Sequence, residues 1–312
     1  MNTHLLFALR VAIGSTALAS CLPSQAADVS FREQFAKSQQ LPVVIVQAAA
    51  GDTLVIEPET FTLRGRSLLV SAQNVRVDGA ATIQAFDPAS PAEPRTGVAP
   101  TGDPGDPGEN VNCARSGCPG KKGLEGKPGE IGQAGLPAQK IALDVAHLSG
   151  AGSLTVVSAG QTGGQGQQGG KGGTGGHGGH GAKRSCGGAF GLDTRAGPGD
   201  GGQAGQGGNG GKGGTGGTAG DAAPIVARES MKSFVSTGQL HLVVTGGAPG
   251  KGGNGGERGD AGLPGGMGGG NSCGGGGRTG AGNSPGDLGP VGDTGSEGKD
   301  SEIIYSTFEP VS

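Results

Sequence analysis

The chain has 312 residues, of which 73 are Gly and 19 Pro, with no Trp, one Tyr (Tyr305) and eight Phe. Four Gly lie in residues 1–96 and the other 69 follow from Gly97, so the later part has too few large apolar side chains for an ordinary hydrophobic core. The net charge of −3, with both signs interspersed, leaves no electrostatic footprint for nucleic acid.

Residues 1–26 read as a secretory signal, with Arg10 ahead of the short apolar stretch Val11–Ala19 and small residues in Pro23-Ser24-Gln25-Ala26. Cleavage after Ala26 yields a secreted product. Leu18-Ala19-Ser20-Cys21 resembles the lipobox of bacterial lipoproteins, which implies acylation of Cys21 and an outer-membrane anchor instead. Both readings place the protein outside the cytoplasm, secreted or at the cell surface. Residues 27–96 then form a β-rich region. Asp28–Gln39 is a modest helix candidate, and Leu41–Val46, Thr53–Ile56 and Phe61–Leu63 read as strands.

Three stretches share one form: an apolar run, a turn signal and a second β-rich run. They are Ser67–Phe86, Lys140–Ser158 and Ile225–Thr245, with turns at Asp78-Gly79, Gly150-Ala151-Gly152 and Thr237-Gly238. Their recurrence is an internal repeat, closed by a last strand at Glu302–Phe308 within residues 301–312. Between them, residues 97–300 carry glycine at every third position. The series run Gly102–Gly108, Gly117–Gly135, Gly160–Gly181, Gly199–Gly220, Gly247–Gly268 and, broken at Asn283, Gly274–Gly298. A period of three is that of polyproline II; a helix needs 3.6 and a strand 2. Residues 120–137 and 286–300 have one Gly per triplet and so one bare face, whereas 169–181 and 207–217 have two. The third and fourth series and part of the fifth, Gly247–Gly268, are expected in the centre of a bundle, and the first, second and sixth at its edges.

The mature cysteines Cys113, Cys118, Cys186 and Cys273 all fall in the turns between successive glycine segments. An even number in an exported chain points to disulfides, with Cys113–Cys118 and Cys186–Cys273 the favoured pairing. The expected fold class is mainly β plus non-regular: a short β-layer or β-solenoid with inserted antiparallel glycine-rich polyproline II rods forming an intramolecular bundle.

The single-Gly runs at 117–137 and 286–300 resemble bacterial collagen-like proteins. The Gly-Gly runs at 163–181 and 201–220 resemble glycine-rich polyproline II bundles such as snow-flea antifreeze proteins and phage tail-tip adhesins. The second resemblance implies packed, bare-faced rods in a monomer; the first implies a trimeric stalk.

Few residues suggest chemistry. His177 and His180 are three apart, about 9 Å along a polyproline II axis, too far for two imidazoles to share one Zn²⁺ readily. Arg258-Gly259-Asp260 spells a cell-attachment tripeptide but lies within a glycine run. Repeated Gly-x-Gly-x-x-Gly lacks a strand–turn–helix context, and Lys171 and Lys212 are followed by Gly rather than Ser or Thr. Asp103, Asp106 and Glu109 form a solvated acidic stripe, and Phe190 sits in a turn as a candidate contact. No nucleophile–base pair, metal or cofactor site is nominated. The expectation is a non-enzymatic, exported structural, adhesive or surface-binding protein, contacting a surface, glycan or protein and touching a membrane only through Cys21. The alternatives are ice binding, which the long projecting residues Gln165, Gln168, Lys171, Thr174, His177 and His180 disfavour, and the trimeric stalk.

Overall fold

Alternation of apolar and polar residues builds the strands. Ser67–Val77 (β5) turns Leu68, Val70 and Ala72 inward, then Val75 and Val77. The alternation slips at Gln73–Asn74, where the partner strand changes. The computed structural model describes residues 26–110, 115–183, 198–269 and 277–308.

The other strands are β1 (Asp28–Ser30), β2 (Val43–Gln47), β3 (Thr53–Ile56), β4 (Thr60–Thr62), β6 (Ala80–Gln84), β7 (Ile141–Ser149), β8 (Ser153–Ala159), β9 (Ile225–Arg228), β10 (Leu240–Thr245) and β11 (Ile303–Ser306). Seven form one sheet in the order β1-β3-β5-β7-β9-β11, with β2 also on β5, and four form a second in the order β10-β8-β6-β4. Every strand pairing within them is parallel. One core draws on both sheets, including Val70, Val75, Ile141, Leu143 and Ile225 from the first and Ile83, Leu154, Val156 and Leu240 from the second. Helix α1 (Phe31–Lys37), capped by the Ser30 hydroxyl accepting from the Glu33 amide at 3.2 Å, seats Phe31 and Phe35 against Phe61. A 3-10 turn at Glu229–Met231 and helix α2 (Lys232–Ser236) lie between β9 and β10.

The fold is therefore a parallel α/β arrangement of two sheets and few helices. This overturns the expected fold class, a mainly β plus non-regular chain in which a short β-layer or β-solenoid carries polyproline II rods forming an intramolecular bundle. The reason lies in the pairing. Successive apolar runs do not pair with each other across their turn. They enter different sheets, and each pairs with the equivalent run of the next repeat: Leu68 with Ile141, Ile141 with Ile225, Ile225 with Ile303. The turns are corners, tight enough that a Cβ on Gly152 would stand 2.1 Å from the Gly79 carbonyl oxygen. Likewise Ile225–Thr245, expected as two β-rich runs, contains α2, closed by Gly238 at φ +75°.

The glycine-rich stretches are the connections between β6 and β7, β8 and β9, and β10 and β11. Among the described residues they carry neither helix nor long strand, yet their backbones are densely cross-linked by mutual hydrogen bonds. In residues 160–183, Gly163 and Gly166 donate to Ala248 and Lys251 (both 2.9 Å), whereas Gly164 and Gly170 donate to Gln133 and Lys127 (both 2.8 Å). Residues 160–183 and 198–222 each exchange such bonds with four neighbouring segments, 99–110 and 277–300 with two. These form two layers, 99–110, 160–183 and 246–269 in one and 117–138, 198–222 and 277–300 in the other, parallel within a layer and antiparallel between them.

Contact replaces a core here. A Cβ on Gly172 would sit 2.0 Å from the Gly208 carbonyl oxygen, and one on Gly173 2.0 Å from that of Asp103. At Gly282, on the outer edge, it would meet nothing within 4 Å. Gly172→Ala should therefore lower stability by about 3 kcal/mol or more, since rigid backbone must move aside. Gly282→Ala should stay within about 1 kcal/mol of the parent. Paired thermal unfolding of the two variants checks this contrast.

Candidate functional site

Two surfaces present chemistry: the outward rows of the glycine segments, and a groove beside β4. In 160–183 one residue of each triplet projects, after a glycine pair except at Gln168, which follows Gln167, giving the row Gln165, Gln168, Lys171, Thr174, His177 and His180, exposed or half-exposed. In the second layer the matching row is Gln203, Gln206, Asn209, Lys212, Thr215 and Thr218. Their flanking glycines are held by backbone contacts, so each row is evenly spaced.

These rows contain some of the candidates nominated from sequence, Lys171, His177, His180 and Lys212 among them. Lys171 pairs with Asp260 at 3.7 Å, and Lys212 with Asp293 at 2.7 Å, so each lysine ties its central segment to the last segment of its layer. Asp260 thus sits in a lateral ion pair, and a Cβ on Gly259 would stand 2.1 Å from the Gly173 oxygen. The Arg258-Gly259-Asp260 tripeptide is part of the packed stretch. The His177 Nδ1 accepts the Leu263 amide at 2.9 Å, while the His180 amide donates to the Asn110 side chain at 2.7 Å. Asp106 pairs with Lys121 at 2.9 Å, and the Glu109 carbonyl oxygen accepts the Cys118 amide. Among the described residues no group of three or more His, Cys, Asp or Glu could hold a metal ion. Cys118 is disulfide-bonded. Cys21, Cys113, Cys186, Cys273 and Phe190 lie outside the described residues.

The second surface was not read from the sequence. After β4 the chain turns through Leu63–Arg64–Gly65–Arg66 with Arg64 at φ +55° and Gly65 at φ +73°. Gly65 is required twice over, by its φ and because a Cβ there would press to 2.8 Å on the Phe86 ring. Arg64 has no such licence; the left-handed region costs a side-chain-bearing residue about 1–2 kcal/mol. Two hollows meet at this turn, sharing Thr62 and Arg64 as lining. One, of about 450 Å³, adds Gln39, Thr60, Arg66 and the buried rings of Phe35 and Phe61. The other, of about 420 Å³, adds Phe86, Asp87, Ser90, Leu136 and Gln161.

The two arginines differ. Arg66 is spent on structure: its Nε donates to the Leu63 carbonyl (2.8 Å), its Nη1 to that of Gln39 (2.7 Å), and it lies 5.8 Å over the Phe35 ring. Arg64 is exposed and engages no acceptor among the described residues. Its neighbours are fixed: Thr62 accepts from Gln84 (3.0 Å), Asp87 from the Ala89 amide (2.9 Å), and Gln161 from the Leu136 amide (3.1 Å). The walls are thus set before any ligand arrives. Only an unusual φ marks Arg64, and no residue pattern announces it.

The hydrogen bond from Lys212, and then its charge, hold the Asp293 carboxyl below the usual carboxylate range. With a lowered folded value, the pair's contribution is present above the ordinary carboxylate pKa and is lost as pH falls through the folded one. NMR titration should find Asp293 below a typical Asp, and Lys212→Met should return it to the ordinary value. Comparison with known proteins finds no protein-family model and no curated relative that matches the chain.

Proposed function

We propose that this is a non-enzymatic, exported protein with a structural, adhesive or surface-binding role, in which the hydrogen-bonded glycine layers hold rows of polar side chains against an extended partner. The observation that carries the reading is the row from Gln165 to His180. One side chain projects per triplet while the intervening glycines are locked against neighbouring backbones, as Gly172 is on Gly208 and Gly173 on Asp103. Three extended residues span at most about 10 Å, so the row repeats at a near-constant pitch.

The chemistry of the rows is amide, hydroxyl, ammonium and, in the first, the imidazoles of His177 and His180, and each central lysine already has a carboxylate partner. Such groups recognise hydrogen-bonding surfaces rather than a strong charge of one sign. Each contact is weak, and the benefit comes from many engaging at once, which a stiff support permits without an ordering cost at the moment of binding. Export is part of the proposal and rests on residues 1–26, whose features are those of a secretory signal.

The test leaves the packing alone. Gln165→Ala, Gln168→Ala and Thr174→Ala together remove outward groups without touching a glycine contact. Thermal unfolding should shift by only a few degrees. Adsorption to a hydroxyl-terminated sensor surface, read on a quartz-crystal microbalance, should fall by about tenfold or more. Adsorption equal to the parent would overturn the reading.

A further inference from the structure

We propose that the groove at the turn after β4 binds a carboxylate-bearing saccharide, with Arg64 as the ligand of the carboxylate. The inference goes beyond the surface role, because the groove lies outside the projecting rows and uses different chemistry.

Three observations converge on Arg64. It holds a left-handed backbone conformation at φ +55°, where glycine is the unstrained choice, and glycine does occupy the next position. Strain of this kind at a side-chain-bearing residue collects at ligand sites, where the side chain repays it. Its guanidinium is exposed and unengaged among the described residues, whereas Arg66, two positions on, spends its donors on carbonyls. And it stands where two hollows meet, each within the size range of small-ligand pockets.

A planar guanidinium matches a carboxylate with two parallel hydrogen bonds. On either side of it the lining is polar: Gln39, Thr60 and Arg66 in one hollow, and Ser90, Gln161 and the Asp87 carboxylate, an acceptor for hydroxyls, in the other. That arrangement suits an acid group in the middle of a chain of hydroxylated units, hence an oligosaccharide containing uronic acid. The aromatic rings near the groove are buried (Phe35 8 %, Phe61 4 %, Phe86 8 % exposed), so recognition is by polar contact rather than by stacking a sugar on a ring. Strand addition of a peptide is less favoured, because β4 offers three residues, Thr60–Thr62, to an incoming strand.

The test measures binding of tri-galacturonate, neutral maltotriose and a triglutamate peptide by isothermal titration calorimetry to the protein cleaved after Ala26, at low salt. Tri-galacturonate should bind at least about tenfold more tightly than the other two. Arg64→Gly should weaken that binding by at least about tenfold while leaving the unfolding temperature equal or higher, since glycine relieves the left-handed strain. A merely structural Arg64 would give the opposite pattern, a lower unfolding temperature with binding unchanged. Equal binding of maltotriose, equal or tighter binding of triglutamate, no detectable binding of tri-galacturonate, or full binding by Arg64→Gly would each overturn the proposal. The same variant should adsorb normally to the hydroxyl-terminated surface, so failure here is distinguishable from failure of the surface role.

Discussion

The glycine-rich half of this protein depends on backbones approaching closer than any side chain allows. Where a Cβ would come to rest about 2 Å from a carbonyl oxygen, as at Gly166 against Gly214 or Gly210 against Gly256, glycine alone fits. The same approach brings amides to within 2.7–3.1 Å of neighbouring carbonyls along residues 161–183. Glycine pays the largest backbone entropy on ordering, and each hydrogen bond returns a net of only about 1 kcal/mol. Density of bonds, rather than strength of any one, is what offsets that cost. Ion pairs such as Lys212–Asp293 are exposed and add little; their value is in setting register.

The two sheets supply what the glycine segments lack, an apolar core and an unambiguous register. Residues 117–138 lie parallel to 198–222, ending with the Ala138 amide on the Asp221 carbonyl, and the pairing runs directly into Ile141 beside Ile225. In the same way the Ala222 amide on Lys299 leads into Ile225 beside Ile303. A strand slip by one residue would move Ile141 and Leu143 out of the core, so the strands are strongly specified. Strand register thus extends along the connections. At the outer side the sequence changes: Leu288 and Val291 occupy edge positions and stay 70 % and 64 % exposed, filling space that a further segment would need.

Much of this was legible from residue order, and some was not. Period-two runs marked β3 at Thr53–Ile56 and the apolar faces of β5 and β7, because alternation reports which side is buried. It does not report which strand lies alongside. Asp78-Gly79 looks the same whether it joins a strand pair or turns a corner between sheets, and that ambiguity hid the all-parallel topology. Helix α2 was missed because Phe234 and Val235 carry no helical bias; its place between β9 and β10 comes from tertiary packing. Glycine spacing showed where backbones could approach closely: the glycine pairs of 169–181 and 207–217 have neighbours on both sides in their layer, whereas 246–269, which also carries glycine pairs, has a neighbour on one side. Arg64 was invisible for a different reason, since a left-handed arginine has no sequence signature and its groove is assembled from residues as far apart as Gln39 and Gln161.

Amide hydrogen exchange along residues 160–183, read by NMR, tests the close-approach account most directly. The account predicts a three-residue pattern. Amides that donate to neighbouring segments, such as Gly163, Gly164, Gly166, Gln167, Gly169, Gly170, Gly172 and Gly173, should be protected. Those of Gln165, Lys171, Thr174 and His177, which face outward, should exchange rapidly. Uniformly fast exchange through the segment, with the amides of β5 and β7 still protected, would contradict it.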